Sequence, residues 1–195
     1  RGWRRSTATS AAARIGAAGG TVHTIADAAD MTRLPGGLRG VIHLRTLDLP
    51  RLDDAAFEAI AVQQKASLGS LLELVQALGR ASFVSAAPRL WIAAKGGQAV
   101  ENLAPVNPAQ APIWGMAKSI TLEHAELRPT SIDLDPAANP AADAEALFDC
   151  IAAADAEDQI AVRNGVQFVA RLAKGACARS LDPVRLEASD SGVIE

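Results

Sequence analysis

A helix that opens on proline and leads into a short apolar strand is the feature that most constrains how this chain can fold. It occupies residues 107–136, NPAQAPIWGMAKSITLEHAELRPTSIDLDP. Pro112 lies where the helix would begin, because proline suits the first helical turn. Apolar residues follow it at helical spacing: Ile113, Met116, Ala117 and Ile120. Residues 130–134 then predict a buried strand, and a helix followed by such a strand is the repeating half of a parallel α/β unit.

Strands and helices alternate along the remainder of the chain. Short apolar runs predict three further strands: residues 21–25, 40–44 and 89–94. Helix-compatible stretches predict three further helices: residues 6–18, 53–78 and 141–154. Asn164-Gly165 between two apolar runs predicts a closing β-hairpin, because both turn residues need positive φ. The predicted fold class is therefore α/β, a truncated Rossmann-like parallel sheet flanked by helices, with a terminal β-hairpin.

Several local expectations accompany this fold. The strand at 40–44 is predicted to be central and buried, and residues 1–5 to be an exposed lead-in or the remnant of a first strand. Asp53 or Asp54 is a good N-cap for the long helix. Gly69 inside that helix suggests close packing on the sheet. The apolar stripe of the helix is predicted to contain Phe57, Ile60, Ala61, Leu68, Leu71, Leu72, Val75 and Leu78.

Composition excludes several classes of protein. The 195 residues are 49% apolar and carry a formal charge of -3, which is typical of a globular protein without a nucleic-acid-binding surface. No apolar run approaches the roughly 20 residues that a membrane helix needs. Cys150 and Cys177 are too few and too far apart for a disulfide framework or a zinc site. A cytoplasmic protein with no nucleic-acid or membrane partner is expected.

The ends of the chain predict a piece of a larger polypeptide. The sequence starts at Arg1 without methionine and stops at Glu195 within a strand-like pattern. From Ala173 onward the composition loosens, which predicts one domain over residues 1–172 and a linker over 173–195. The chain contains no tyrosine, so any mechanism that needs a tyrosine acid within it is excluded.

A dinucleotide-binding loop is not found in the sequence. Such a site needs glycines where a strand turns into a helix, so that backbone N–H groups can approach the pyrophosphate. None of the glycine pairs completes G-x-G-x-x-G: Gly19-Gly20, Gly36-Gly37 and Gly96-Gly97. There is also no Walker motif and no G-x-S-x-G nucleophile elbow. The fold suggests a nucleotide binder whose binding loop is missing, which indicates a degenerate domain without catalytic, cofactor-binding or metal-binding residues.

The three histidines have structural interpretations that compete with chemical ones. His43 lies inside a predicted strand, which favours a core or strand-end residue over a catalytic one. His23 lies in another predicted strand with no acidic partner nearby in sequence. His124 follows Glu123 at the end of the helix at 112–124, where a cation complements the helix dipole, and this role is favoured over that of a general base.

Two carboxylates at a strand end are the main candidate for chemistry. Asp133 and Asp135 stand where parallel sheets bind ligands, so a metal pair is one interpretation. Asp-Pro is also ordinary turn chemistry, and no further ligands are evident, so the turn is favoured. The other candidates are interpreted as structural. Cys150 is expected in the core, Trp91 and Trp114 in the core or an interface, and Lys118 and Glu123 on a solvated helix surface.

The order of segments along the chain resembles the ketoreductase structural subdomain of type I polyketide synthases. The segments are GVIHLRTLD, LLELVQAL, RLWIAAKGGQAV, PAQAPIWGMAKSITLEHAEL, SIDLDP and QFVARL. The resemblance covers most of residues 37–172, and its most specific part is QAPIWG at 110–115 with LEH at 122–124.

The resemblance implies a function that the residues alone do not. In that family the N-terminal half of the ketoreductase has lost cofactor binding. It braces a C-terminal half that holds NADPH and reduces β-ketoacyl chains on an acyl carrier protein. No catalytic residue of the family has a counterpart here, so no cofactor is expected in this chain. The implied partners are the catalytic subdomain of the same polypeptide and a parent synthase that is a homodimer.

The tail implies a neighbouring domain. RLEA at 185–188 and SGVIE at 191–195 resemble the first strand of a medium-chain-type enoylreductase, which also binds NADPH. LRPTSID at 127–133 is similar to mycocerosic-acid-synthase-like members. The resemblance therefore predicts a structural subdomain from a fully reducing module, immediately ahead of its enoylreductase. Two alternatives remain: a free-standing α/β binding protein or enzyme that uses the strand-end carboxylates, and a protein–protein docking module.

Overall fold

A five-stranded sheet with helices on both faces forms the centre of the protein. The computed structural model describes residues 2–34, 37–49, 57–83, 86–100, 106–153 and 156–172. The strands are β1 (Gly40–His43), β2 (Arg89–Lys95), β3 (Thr130–Leu134), β4 (Gln159–Arg163) and β5 (Val166–Val169). The α-helices are α1 (Gly2–Ala17), α2 (Phe57–Arg80), α3 (Ala111–Glu123) and α4 (Pro140–Ala152). Short 3₁₀ helices join them, among them Arg45–Asp48 after β1.

The strands follow one another across the sheet in chain order. β1 through β4 are parallel, and β5 returns antiparallel to β4. Asn164 and Gly165 make the hairpin turn with φ of 50° and 75°, the positive values that such a turn needs. This topology confirms the predicted α/β class, with its Rossmann-like parallel sheet and terminal hairpin.

The helix–strand unit at residues 107–136 is confirmed. The Asn107 side chain accepts a hydrogen bond from the backbone N–H of Ala109, and Pro112 lies in the first turn of α3. β3 covers the predicted residues, and all five of them are buried. The helix ends at His124, whose backbone N–H donates to the carbonyl of Ile120.

The two helical layers bury two separate apolar clusters against the sheet. α2 and α3 cover one face, where the cluster includes Leu71, Leu78, Ile92, Ile113 and Ile120. α1 and α4 cover the other face, where the cluster includes Ala11, Ala93, Ile132, Leu147 and Ile160. Because neighbouring residues of β2 point to opposite faces, this strand contributes to both clusters, whereas Ile132 and Leu134 of β3 belong to the second.

The strand β1 corrects one expectation. It was predicted to be central and buried, yet among the described residues it pairs only with β2, and Gly40, Val41 and Ile42 are half-buried. A short apolar run does not reveal which sheet position a strand takes, because edge and central strands can share this pattern. Gly40 is required there, since a Cβ at this position would overlap the ring of Trp91.

Three more expectations are corrected, two of them in the N-terminal segment and one in α2. Residues 21–25 form no strand and are largely exposed, and residues 2–5 already belong to α1. α1 therefore starts four residues earlier than predicted and ends before Gly19, which has a φ of 84°. Gly69 of α2 marks no close packing among the described residues, because a Cβ on it would meet no atom within 4 Å.

The long helix was predicted well except in its details. Leu71, Val75 and Leu78 are buried as expected, whereas Ala61 and Leu72 are exposed, and Leu74 belongs to the core instead. The predicted caps Asp53 and Asp54, the side chains of Phe57 and Ile60, Cys177 and the tail at 173–195 lie outside the described residues.

Candidate functional site

The carboxyl ends of the parallel strands are where an α/β sheet of this kind usually binds a ligand. In this chain three charged side chains converge there from three adjacent strands. Lys95 ends β2, Asp133 lies near the end of β3, and Arg163 ends β4. All three make short contacts with other groups of the chain. Whether the edge can hold a ligand depends on the hydrogen-bonding groups and the space that these contacts leave unoccupied.

Asp133 and Arg163 form a buried ion pair. The Nη2 atom of Arg163 lies 2.6 Å from Oδ2 of Asp133, and the exposed fractions of the two side chains are 2% and 0%. The backbone N–H groups of Gly97 and Gln98 also donate to the Asp133 carboxylate, over 2.8 and 3.0 Å. Arg163 donates in addition to the backbone carbonyls of Val162 and Gln98. Each charge therefore has its partner and further hydrogen bonds, as a buried pair requires.

A second ion pair closes the end of β2. Lys95 Nζ lies 2.8 and 2.7 Å from the two carboxylate oxygens of Asp143 in α4, and it also donates to the carbonyl of Ala138. Burial raises the pKa of Asp143 and lowers the pKa of Lys95, and the hydrogen bonds between them oppose both shifts. Burial is the larger effect, so the pKa of Asp143 stays raised and that of Lys95 stays lowered although each group stabilises the charged form of the other.

Helix α1 covers this second pair from above. The indole N–H of Trp3 donates to Oδ2 of Asp143 over 2.5 Å, and the Lys95 ammonium lies 4.3 Å from the centroid of the Trp3 ring. The next residue, Arg4, forms an ion pair with Asp48 in the 3₁₀ helix that follows β1, and 2.7 Å separates Nε from Oδ2. The first turn of α1 thus fills the space above the strand ends that a ligand would otherwise occupy.

The glycine turn after β2 is also committed to internal contacts. Gly96 has a φ of 69°, and its carbonyl accepts a hydrogen bond from the N–H of Asn107 over 2.6 Å. The N–H of Gly97 donates to Asp133. In a dinucleotide site, backbone N–H groups at such a turn point at the pyrophosphate. Here the N–H of Gly97 satisfies a buried carboxylate instead.

Gln110 connects three elements at the same edge. Its side-chain Nε2 donates to the carbonyl of Thr46 over 2.8 Å, and its Oε1 accepts from the N–H of Lys95 over 3.3 Å. A Cβ on Gly97 would lie 3.1 Å from Cβ of Gln110, so glycine allows the close approach. Gln110 is 2% exposed and belongs to the QAPIWG segment, whose distinctive residues therefore serve packing and hydrogen bonding.

The strand-end carboxylates Asp133 and Asp135 both accept hydrogen bonds from backbone N–H groups. Asp135 accepts hydrogen bonds from the backbone N–H groups of Ala137 and Asn164, as a turn residue does. Burial raises its pKa, but these hydrogen bonds and the charge of Arg163 outweigh that effect and lower it overall. Within the described residues no group of three potential ligands could hold a metal ion.

His43 is a buried structural histidine. Its Nε2 lies 2.9 Å from the hydroxyl oxygen of Ser70, and that hydroxyl donates to the carbonyl of Ser67. The imidazole N–H therefore donates to Ser70. Burial, followed by the charges of Arg45 and Arg4, lowers its pKa to about 4. The imidazole is uncharged at neutral pH, in agreement with the predicted core position.

The other singled-out residues lie at a helix end, on the surface or in the core. His124 lies at the end of α3 with its Nδ1 3.1 Å from a carboxylate oxygen of Glu126, and His23 is exposed outside any strand. Cys150, Trp91 and Trp114 are buried in the core.

Two charged residues of α3 are exposed, as predicted. Lys118 and Glu123 lie on the exposed surface of α3. In the part of the chain that the structure describes, no helix is both long and apolar enough to span a bilayer.

Sequence reasoning missed the partners that close the edge. It singled out Asp133 but not Arg163, Lys95, Asp143 or Trp3. A usable signal was present: SIDL and IAVR each place one charge in an otherwise apolar strand, and the two charges are opposite. Two such strands gain by lying side by side, because a buried charge needs a partner. The Trp3 contact carried no comparable signal, since 140 residues separate it from Asp143.

The fold and the closed edge define a Rossmann-like α/β domain whose usual ligand edge is occupied by its own side chains. The family model for the Rossmann fold domain of the polyketide synthase extender module SpnB matches residues 2–172. The chain belongs to this family.

Individual proteins agree with this assignment. The chain is 35% identical over 185 residues to the polyketide synthase GfsA of Streptomyces halstedii, covering 88% of this chain. It is 30% identical over 147 residues to the erythronolide synthase EryA3 of Saccharopolyspora erythraea, covering 75% of this chain. Among solved structures, a C2-type ketoreductase from a modular polyketide synthase covers 95% of this chain with 27% identity and a TM-score of 0.68.

The chain corresponds to only part of each of these proteins. It spans 2% of GfsA, 4% of EryA3 and 41% of the solved ketoreductase chain. It is therefore a Rossmann domain related to polyketide synthase ketoreductases, found in relatives that are much longer, multidomain synthases.

Proposed function

We propose that this chain is a non-catalytic subdomain that braces the NADPH-dependent β-ketoreductase of a type I polyketide synthase. The observation that carries the proposal is the closed carboxyl edge of the sheet. The Asp133–Arg163 pair and the Lys95–Asp143 pair, the latter covered by Trp3, occupy the carboxyl edge at which a Rossmann domain usually binds its dinucleotide. The closed edge supports a role in packing against a catalytic partner over a role in cofactor binding.

The outward surface of α2 and α3 is suited to that packing. We name the half-buried Gly69 and the exposed Leu72 of α2, with the exposed Gly115 and Leu122 of α3, the docking face. Leu72 and Leu122 are 48% and 85% exposed. A Cβ on either glycine would meet no atom within 4 Å, so contacts among the described residues require neither glycine. Small residues let another helix approach closely, and the exposed leucines would be buried by it.

The occupant of the docking face is the catalytic half of the same ketoreductase. The solved ketoreductase supports this choice, because this chain accounts for 41% of that chain and leaves the remainder to pack beside it. A Rossmann-like domain that presents two adjacent helices to a second domain buries apolar area at roughly 25 cal/mol per Å², before entropic costs.

Co-expression with the catalytic half tests this function. We expect the pair to co-purify, and Leu72→Glu with Leu122→Glu to abolish co-purification and to lower reductase yield and activity. Val22→Glu is the control, since Val22 is also exposed but is not part of the docking face. Both variants should keep the melting temperature of this chain alone. Equal reductase stability and activity with and without this chain would contradict the bracing role.

A cofactor titration tests the non-catalytic part of the proposal. We expect NADPH fluorescence to show no saturable binding to this chain alone, and saturable binding to the assembled ketoreductase. Tight binding to this chain alone would contradict the proposal and favour the free-standing enzyme. No observation favours that alternative at present, because the oxygens of Asp133 and Asp135 already accept hydrogen bonds from the chain.

The wider context is part of the same proposal. The substrates of the parent synthase would be β-ketoacyl chains on an acyl carrier protein, and the synthase would be a cytoplasmic homodimer. Residues 173–195 would form a linker and the first strand of an enoylreductase domain that binds NADPH. Mass spectrometry of the intact parent polypeptide checks this, since a ketoreductase-only module would lack the mass of the interposed domain.

A further inference from the structure

A cavity of about 340 Å³ lies at the carboxyl end of β1, beside the closed edge. Its walls come from the first turn of α1, the 3₁₀ helix Arg45–Asp48 and the first half of α2. Arg4, Arg5 and Arg45 all line it, with Asp48 as the acidic residue of the lining. Three arginines around one cavity are notable in a chain whose formal charge is -3.

The charges of the cavity do not cancel. Arg4 is paired with Asp48 at 2.7 Å. Across the described residues, no carboxylate forms an ion pair with Arg5 or Arg45, and the Arg45 guanidinium donates only a 3.3 Å hydrogen bond to the carbonyl of Ala26. The positive field reaches the interior as well, because Arg45 and Arg4 add to the effect of burial in lowering the pKa of His43.

The remaining lining fits an organic anion better than a bare ion. Leu49, Val62 and Ala66 supply an apolar wall beside the arginines. Gln63 also lines the cavity, as an uncharged polar residue.

We propose that this cavity binds the phosphate group of a small alkyl phosphate ester. The forked guanidinium groups of Arg5 and Arg45 can each donate two parallel hydrogen bonds to phosphate oxygens. Among the described residues, these two groups make one hydrogen bond, from Arg45 to the carbonyl of Ala26. The apolar wall would hold the short alkyl chain, and the volume is at the lower end of the range for small-molecule sites. This site is independent of the bracing role, because none of its residues belongs to the docking face.

Binding of n-butyl phosphate to the full 195-residue chain tests the proposal, with inorganic phosphate, butyrate and n-butanol as companions. Calorimetry at low salt should show saturable binding of butyl phosphate, weaker binding of inorganic phosphate and none of butanol. We expect Arg5→Gln and Arg45→Gln each to weaken the affinity about tenfold, as loss of a charged hydrogen bond does. Arg80→Gln is the matched control, since Arg80 is exposed at the far end of α2.

Two kinds of result would overturn the proposal. Absence of saturation, or an equal loss of affinity in the Arg80→Gln control, would show that no site exists beyond general attraction of charges. Equal affinity for butyrate would reject phosphate as the recognised group. Thermal melting of each variant excludes unfolding as the cause, and perturbed amide signals of Leu49, Ala66 and Ser67 in NMR spectra would place the ligand in the cavity.

Discussion

At the scale of single residues, His43 links the packing of the chain to pH. Its pKa is lowered from 6.5 to about 4, chiefly by burial. Between these two pH values the imidazole is protonated in the unfolded chain and neutral in the folded chain. Its contribution to stability is therefore complete above pH 6.5 and is lost as the pH falls toward 4. From pH 7 to pH 5 the free energy of unfolding should fall by about 2 kcal/mol through this group.

Urea denaturation at a series of pH values measures this effect. The variant His43→Gln should flatten the acid side of the stability profile, whatever its stability at neutral pH. His23→Gln is the control variant at an exposed histidine. A slope that His43→Gln does not alter would mean that other groups control the acid response.

Residue roles were predictable where one neighbourhood in sequence decides them. Asn164-Gly165 predicted its turn, and Asp135-Pro136 indicated turn chemistry, because each depends on local backbone geometry. The ion pair of Asp133 with Arg163 was not predicted, since its partners are 30 residues apart and meet only after β3 and β4 pair.

At the scale of elements, two glycines in regular structure have opposite reasons for being there. A Cβ on Gly69 of α2 would meet no atom, so Gly69→Ala should stabilise the isolated chain by about 1 kcal/mol through helix propensity. A Cβ on Gly40 of β1 would overlap the Trp91 ring, so Gly40→Ala should destabilise it.

Chemical denaturation of the isolated chain gives both values. Under the bracing proposal, Gly69→Leu should leave the isolated chain stable and weaken its association with the catalytic half. If Gly69→Ala were destabilising instead, α2 would have to pack there against a part of this chain that the described residues do not include.

Elements were predicted best where the apolar periodicity agrees with the capping and turn residues at the element boundaries. α3, β3 and α4 each have a proline, a cap or a turn at their boundaries, and their predicted limits lie within two residues of the observed ones. Residues 21–25 are rich in β-branched side chains, as strands are, but pair with no strand among the described residues. Tertiary context overrides β-propensity in such a stretch.

At the scale of the whole molecule, α1 is an integral layer of the fold. Thr7 and Ala11 are buried against α4, and Trp3 covers the Lys95–Asp143 pair. Removal of residues 1–18 should therefore expose one apolar face of the sheet and of α4, and cooperative thermal unfolding should be lost. Removal of residues 173–195 should leave the melting temperature unchanged, if Leu172 is the domain boundary.

Calorimetry of the two truncated chains makes the comparison direct. A stable chain without residues 1–18 would mean that α1 is an accessory segment. A large loss of stability without residues 173–195 would place the boundary beyond Leu172. The fold class was predictable at this scale because the alternation of strands and helices determines it. The closure of the ligand edge was not, because its charged residues and Trp3 come from five separate elements.

The buried pair of Asp133 and Arg163 also limits which sequences can be reached from this one. Replacing either residue alone leaves the other as an uncompensated buried charge, at a cost of about 3–5 kcal/mol. Such a loss is a large share of the stability of a typical domain. A pocket at this edge therefore cannot be opened by a series of individually tolerated substitutions. Both charges must change together, so mutation tends to preserve the closed edge even where no selection for it acts.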